Sequence, residues 1–374
     1  MKEPLSIHND PWECYNNIEQ FGEHILTNIE ITTTHMCNMR CAHCAVGHTL
    51  TSIDPETINL SDLFSALDRV EHLNTLSITG GEPMFSKKSI KEVVTPILKY
   101  CEERNIYTQM NSNLTVPLNR YEAIGEYIDC MHISHNWGTL EEFTTVGFER
   151  MDRQPKEDAK ARLFYTMIEN SRALSEQGMF ISAETMLNQS TIPHLEHIHQ
   201  EVVKDMLCSR HEIHPMYPVD FASALTGINI EQSIAAMHKI LDIRDEDIWM
   251  LFGTLPILPC NQDESSKRLL ERLRTAPNVT VRNDPDGRNR LNINVFTGEV
   301  IITDFGDHEG TLNTIYNQSL NDTFNDWIKS DKARALNCHC PAVKCVGPNI
   351  LVKDMYYQDV DFKKREQMMH ALNT

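Results

Sequence analysis

The sequence predicts an α/β protein built on a parallel sheet, and three observations carry that expectation. Its apolar pattern switches repeatedly between the two-residue period of a strand and the 3.6-residue period of a helix. The two kinds of segment alternate in regular order through the first 217 residues. With 374 residues, 41% of them hydrophobic, the chain can bury a large core. Six β-α units of this kind fit a partial barrel or an open doubly wound sheet.

Residues 24–34 (HILTNIEITTT) are β-rich and run straight into a group of cysteines. Leu60, Leu63, Phe64, Leu67 and Val70 then fall at helical spacing, with Ser61 as the expected N-cap. A strand at 73–79 ends on the tight turn Gly80-Gly81. A helix at 90–104 precedes a strand at 106–110, and a helix near 121–127 precedes one at 130–134. The long helical stretch 159–177 stops at Gly178, a C-cap residue, before a strand at 179–186. A helix at 193–207 leads to the sixth strand, 212–217.

Past Pro218 the alternation lapses. Helices are expected at 231–243 and 267–274, a turn-rich connection at 283–290, a hairpin over 291–305 around Thr297-Gly298, and a helix near 320–330. The expected division is a segment 1–23, a core 24–220, and a remainder 221–374 of linker helices and a small C-terminal unit, with boundaries good to ~15 residues.

A net charge of −19, from 34 basic and 53 acidic residues, repels a phosphate backbone and argues against general nucleic-acid binding. The first 17 residues contain no apolar core of a signal peptide, and no apolar run reaches membrane-spanning length. Eleven cysteines in that setting point to reduced thiols or metal ligands, and to a cytoplasmic protein.

Three of those cysteines, Cys37, Cys41 and Cys44, form the C-x₃-C-x₂-C pattern of CNMRCAHC. Zinc would need a fourth ligand, which His35 or His43 could supply. An iron–sulfur cluster held by three thiolates would instead leave one iron open to an amine and carboxylate. Position favours the cluster, because the triplet follows the first strand, at the end of a β/α fold where active sites form. The next strand closes on Thr79-Gly80-Gly81-Glu82-Pro83, whose glycines allow close backbone approach and whose carbonyls could receive an ammonium.

CNMRCAHC followed by TGGEP resembles the radical S-adenosylmethionine (SAM) superfamily. The resemblance implies that Cys37, Cys41 and Cys44 bind a 4Fe–4S cluster, and that Gly80, Gly81 and Glu82 form the motif receiving the amino group of SAM. It implies reductive cleavage of SAM to a 5′-deoxyadenosyl radical, which abstracts a hydrogen from a substrate. His43 fits a position that is often aromatic in the family. The fold it implies is a partial (β/α)6 TIM-like barrel with a small C-terminal hairpin-plus-helix iron–sulfur extension. Strand-end polar residues are candidates for SAM contacts, Ser134 and Asn188 ahead of Asn111, Ser112, Asn113, His135, Asn136 and Glu184. The competing reading of all of these is ordinary capping.

A second group, Cys338, Cys340 and Cys345, forms C-x-C-x₄-C. Together with the first motif it resembles the radical SAM/CxCxxxxC-motif (YfkAB) family. The hairpin at Gly298, the following helix and Cys345-Val346-Gly347 are similar to SPASM and twitch extensions, although Thr303 and Asp304 stand where a cysteine would follow the hairpin. The resemblance implies a second iron–sulfur cluster with Cys260, Asp304 or a bound substrate completing it. A zinc site of the same four cysteines is the alternative.

Cys101, Cys130 and Cys208 read as small core hydrophobes. His194, His197, His199, His211 and His214 read as a solvated surface, with His214 and Tyr217 near the active end, and Asp242, Asp245, Glu246 and Asp247 as a solvated acidic stretch. The leading expectation is a radical SAM enzyme acting on a peptide or protein, fed by an electron donor such as flavodoxin or ferredoxin. The alternatives are the same chemistry on a small metabolite or cofactor precursor, and a non-catalytic zinc or iron–sulfur protein.

Overall fold

The computed structural model describes residues 2–261, 263–303, 310–336, 340, 343–360 and 362. Its strands are β1 (Asn28–Thr32), β2 (Thr75–Thr79), β3 (Tyr107–Ser112), β4 (Cys130–Ser134), β5 (Ile181–Leu187), β6 (Arg210–Pro215), β7 (Trp249–Gly253), β8 (Val279–Arg282), β9 (Arg290–Asn294), β10 (Glu299–Ile301) and β11 (Asn313–Thr314). They form one sheet in the order β11-β10-β9-β1-β2-β3-β4-β5-β6-β7-β8. Every pair from β9 through β1 to β8 is parallel.

Period-2 alternation gives this sheet two chemically different faces. Ile29, Ile31, Leu76, Ile78, Met131 and Ile133 pack with the helices in one continuous core that includes Leu63, Ile97, Phe164 and Leu174. The alternate residues Glu30, Ser77, Gln109, His132, Glu184 and Glu212 are polar and face inward. Curling the sheet encloses them in a lumen, where His132 meets Glu184 at 3.0 Å and Glu30 meets Arg290 at 3.5 Å.

The expected six units are present, and the same sheet continues past residue 220. Residues 249–253 (WMLFG) form β7, all five buried, which sequence reasoning left unassigned. Helices Ile230–Ile243 and Glu264–Thr275 cover β7 and form a second core with Met250, Phe252, Leu269 and Leu273. The hairpin around Gly298 forms as expected, with φ +71 at the glycine and Val300 opposite Ile293. Its first strand, β9, also pairs with β1 along five residues, so the hairpin belongs to the barrel wall. A smaller correction concerns the helix Leu60–Leu67. Its N-cap is Asn59, whose side chain accepts from Ser61 N at 3.0 Å, because Asn59 has the extended backbone a cap requires.

Residues 2–12 lie across the N-terminal openings of the strands. Glu3 N donates to Tyr107 Oη (2.8 Å), Lys2 pairs with Asp129 (2.7 Å), and buried Trp12 donates from Nε1 to Ser77 Oγ at 3.2 Å. Among the described residues no helix is long and apolar enough to cross a membrane.

Candidate active site

The C-terminal ends of β1 and β2 are stitched together by backbone. Thr33 N donates to Thr79 O (2.9 Å), Gly81 N to Thr34 O (2.8 Å) and Glu82 N to Met36 O (2.8 Å). A Cβ on Gly80 would sit 2.2 Å from Thr34 O, and one on Gly81 would sit 2.3 Å from Met36 O and 3.1 Å from Cys37 Cβ. Gly80 also has φ +136. Only glycines let the β2 turn press this closely on the cysteine loop.

Glu82 is buried, and its carboxylate accepts from Asn113 N (2.8 Å), Ser112 Oγ (2.9 Å) and Met84 N (3.1 Å). Burial outweighs these donors and pushes its carboxyl up to about 7. The side chain therefore fixes the ends of β2 and β3, leaving the backbone of the turn as the part that can meet a ligand.

Cys37, Cys41 and Cys44 lie on a braced loop. Arg40 donates to Cys37 O (3.0 Å) and Met39 O (2.8 Å), and Ala42 N donates to Val146 O (2.9 Å). Met39 N and Asn113 Nδ2 approach Cys37 Sγ at 3.4 and 3.8 Å. Burial pushes the thiols of Cys37 and Cys44 up to about 12 and about 11, and that of Cys41 well above its usual range. Cys37 and Cys41 are raised further by other cysteines of the triplet. Such thiols ionise together only around positive charge, which bound iron provides.

Among the described residues no three His, Cys, Asp or Glu side chains converge as around a single metal ion. His43 is buried, lies 5.7 Å from the Trp137 ring and is held by burial at about 4.

Within the lumen, Glu184 on β5 links His132 on β4 (3.0 Å) to His214 on β6 (3.2 Å). Burial works against the Glu184 charge, but His214 and His132 overcome it and hold the carboxyl well below its usual range. Burial likewise opposes the His214 charge, and Glu184 with Glu212 raises it to about 9. Glu212 is in turn held by Arg282 of β8 at 2.7 and 2.8 Å.

The other candidates divide. Ser134 ends β4 half-buried, opposite Glu184 in register. Asn188 caps the turn after β5, its Oδ1 accepting from Ser190 N (2.9 Å) and Thr191 N (3.0 Å). Tyr217 donates its hydroxyl to Thr254 O at 2.6 Å. Cys101, Cys130 and Cys208 are buried, as expected.

His194 and His197 are exposed, but His199 and His211 are not solvated. Both are buried and stacked, with Nδ1 atoms 2.9 Å apart, and His211 Nε2 meets Thr185 Oγ1 at 2.9 Å. Helical spacing could not show this, because His199 turns inward onto a residue of β6.

Of the second group, Cys338 and the possible ligand Asp304 lie outside the described residues. Cys340 and Cys345 face each other across a hairpin bridge, with Cys340 N donating to Cys345 O (2.7 Å) and Gly347 N to Cys345 Sγ (3.3 Å). Asn283, the first residue after β8, donates to Lys344 O (3.2 Å). Cys260, after β7, packs beside Tyr217, Leu258 and Ile350.

A cavity of about 470 Å³ opens at the C-terminal ends of β1, β2 and β9, lined by Thr32, His35, Gly80, Asp220, Asn294 and Thr303. A larger one, about 710 Å³, lies at the opposite ends of the strands beside Lys2, Tyr107 and Asp129.

The family model described as the radical SAM superfamily matches residues 31–183, and that of the YfkB-like domain matches residues 216–367. The chain is 54% identical over 363 residues to the putative protein YfkA of Bacillus subtilis (strain 168), covering 97% of both. Among solved structures, Streptococcus suis SuiB bound to S-adenosylmethionine is similar with a TM-score of 0.58 at 13% identity, over 90% of this chain and 76% of that one. Native anSMEcpe with bound AdoMet and Cp18Cys peptide gives 0.57 at 10% identity, over 91% and 94%. At such identities these two likenesses speak for the fold.

Proposed function

The chain belongs to the radical SAM superfamily and is an enzyme of that class, and from that premise we propose that Cys37, Cys41 and Cys44 hold its 4Fe–4S cluster and that a peptide or protein is its substrate. The observation that carries the assignment is three desolvated thiols on a loop stitched through Gly81 and Glu82 to the end of β2. When bound, the cluster held by Cys37, Cys41 and Cys44 would supply the one electron for reductive cleavage of SAM and so the radical chemistry of the class.

The chain's own residues orient and shield. Gly80, Gly81 and Glu82 offer backbone to the amino group of SAM, while the Glu82 carboxylate fixes the turn. Ser134 and Asn188 contact SAM at the ends of β4 and β5. The neutral His43 and Trp137 help exclude water behind the cysteine loop.

Cys338, Cys340 and Cys345 hold a second iron–sulfur cluster with Cys260, in the part of the chain after about residue 220. The Gly347 N–H aimed at Cys345 Sγ favours a thiolate there. An electron donor of the flavodoxin or ferredoxin kind would supply the electron to the first cluster. Ten described cysteines, all free thiols, suit a cytoplasmic setting.

The peptide reading draws on similarly folded proteins whose structures contain peptides, SuiB with its precursor peptide SuiA and anSMEcpe with Cp18Cys. A small-metabolite substrate is favoured by the mouth cavity, whose volume of about 470 Å³ is that of small-ligand sites. Deuterium carried into 5′-deoxyadenosine from labelled peptides, and not from labelled metabolites, decides for the peptide.

The class of reaction is tested by anaerobic reconstitution followed by dithionite and SAM. Absence of 5′-deoxyadenosine above background, with iron and sulfide confirmed, refutes SAM cleavage. Alanine at Cys37, Cys41 and Cys44 abolishes the product. Alanine at Cys338, Cys340 and Cys345 lowers iron content, and unchanged iron removes the second cluster.

A further inference from the structure

The chain after β6 folds back over the arm of the cysteine loop that follows Cys44. Asp220 opens a short turn, Asp220–Ala224, with φ +48, a left-handed backbone that few residues with a Cβ adopt and Asp tolerates better than most. Its carboxylate accepts from His48 N at 3.1 and 3.3 Å and also pairs with His48 Nδ1. The next residue, Phe221, donates its N–H to Cys44 O at 3.2 Å. Its ring lies where a Cβ on Gly47 would come within 2.1 Å, and it packs edge-on against His48 with centroids 4.7 Å apart.

Two adjacent residues thus grip three positions, 44, 47 and 48. The Asp220 side chain is 11% exposed and the His48 side chain 75%, so the aspartate is the buried partner of the contact. A left-handed aspartate held from two sides is a conformation the surroundings impose. The grip also joins the two parts of the chain that different family models match. Residues 44–48 lie in the part matched by the radical SAM model, and 220–221 in the part matched by the YfkB-like model.

The first half of the cysteine loop is fixed locally, by Arg40 and by the β2 turn. Beyond Ala42, where Cys44 must point its sulfur, this pair holds residues 44–48, while the far end of the arm is tied by Thr51 N to His35 O at 2.8 Å. Asp220 also lines the mouth cavity beside Gly80 and Thr32, so displacing it moves both the loop and one cavity wall.

We propose that Asp220 is a positioning residue for the SAM-cleaving centre. By holding the His48 backbone, and with Phe221 the Cys44 carbonyl, it sets the third cysteine, so that the YfkB-like part of the chain completes a centre whose ligands all lie in the radical SAM part. This rests on the assignment of the cluster to Cys37, Cys41 and Cys44.

The full-length chain, reconstituted anaerobically with iron and sulfide, tests it. SAM is titrated into the dithionite-reduced protein while the EPR signal is followed, because only the centre with an open iron responds. Asp220→Asn keeps an acceptor oxygen and tolerates the left-handed backbone, and it titrates like wild type. Asp220→Ala and Asp220→Gly need about tenfold more SAM for half-saturation, the loss that removal of an ordinary hydrogen bond to the loop backbone brings. The glycine variant is free of backbone strain, so it keeps the test open if the alanine variant fails to fold.

Wild-type half-saturation in the glycine variant overturns the proposal, as does an Asp220→Asn variant as impaired as the glycine one. A wild-type chain with no SAM-responsive signal refutes the cluster assignment itself, and the role of Asp220 falls with it.

Discussion

Replacing Glu184 by Gln tests the charged lumen, since the carboxylate is what keeps His214 protonated. In the wild type burial opposes the imidazolium, yet Glu184 and Glu212 raise His214 from 6.5 to about 9. At about 1.4 kcal/mol for each pH unit, that rise corresponds to about 3 kcal/mol of folding stability. The contribution is fully present below the unfolded value near 6.5 and is lost as pH rises through the folded value near 9. Glutamine keeps the shape and an acceptor for His132 but removes the charge, so burial returns His214 to its neutral form. Glu184→Gln therefore destabilises by about 3 kcal/mol near pH 6.5, within the range for breaking a buried pair. The deficit shrinks steadily towards pH 9.5, where the wild type has lost the same contribution. Urea midpoints of the two proteins, compared from pH 6.5 to 9.5, give the difference free of other titrations common to both. A deficit independent of pH, or no deficit near pH 6.5, refutes a protonated His214.

The stacked histidines behind the sheet give the opposite dependence. Burial holds His199 at about 4, so its contribution of about 3 kcal/mol is present above pH 6.5 and fades as pH falls through 4. His199→Gln then costs more at pH 7 than at pH 4.5, and a constant difference in urea midpoint overturns the neutral stack. Gly81→Ala forces a methyl to 2.3 Å from Met36 O, and a lower iron content after reconstitution, at unchanged cysteine count, is the expected readout. Trp12→Ala removes the side chain that fills the lumen at Ser77 and costs about 3–5 kcal/mol by urea unfolding. A near-neutral effect there shows that the N-terminal segment does not close the barrel.

Legibility in the sequence followed the range of the forces involved. The first six strands could be read because each shows its own period-2 alternation, and the helices because of their 3.6-residue spacing. Strand β7 was missed because WMLFG is buried on both faces and has no alternation to show. The cysteine triplet and the Gly80-Gly81 turn were legible because their chemistry is written in adjacent residues. The role of the Glu82 carboxylate was not, since its partners Ser112 and Asn113 arrive from β3, some thirty residues on. The ion pairs of Glu184 were equally hidden. Each of His132, Glu184 and His214 sits on its own strand, and only the register across β4, β5 and β6 makes them neighbours.

The surroundings of the second cysteine group lay further still from what sequence could show. Asn283 is the hinge: its side chain donates to Lys344 O and to Glu13 Oε1, and its backbone N donates to the other oxygen of Glu13. Lys344 then pairs with Glu19, and Tyr15 and Cys14 pack on Val346. Residues near the two ends of the chain thus meet at the end of β8, on the side where β8 and β9 leave the barrel unclosed. The same N-terminal segment reaches the lumen, with Asp10 3.6 Å from Arg282 and 3.9 Å from Arg210. A perturbation at residues 13–19 therefore has two physical routes, one to the Cys340–Cys345 hairpin and one to the charges that hold Glu212. Removing Glu19 severs only the first, because Asp10 and Trp12 keep their partners. Glu19→Gln is accordingly expected to leave the pH profile of the Glu184–His214 pair intact while loosening the hairpin at Lys344, seen as faster amide exchange at residues 343–347. A pH profile that moves with Glu19 refutes the separation of the two routes.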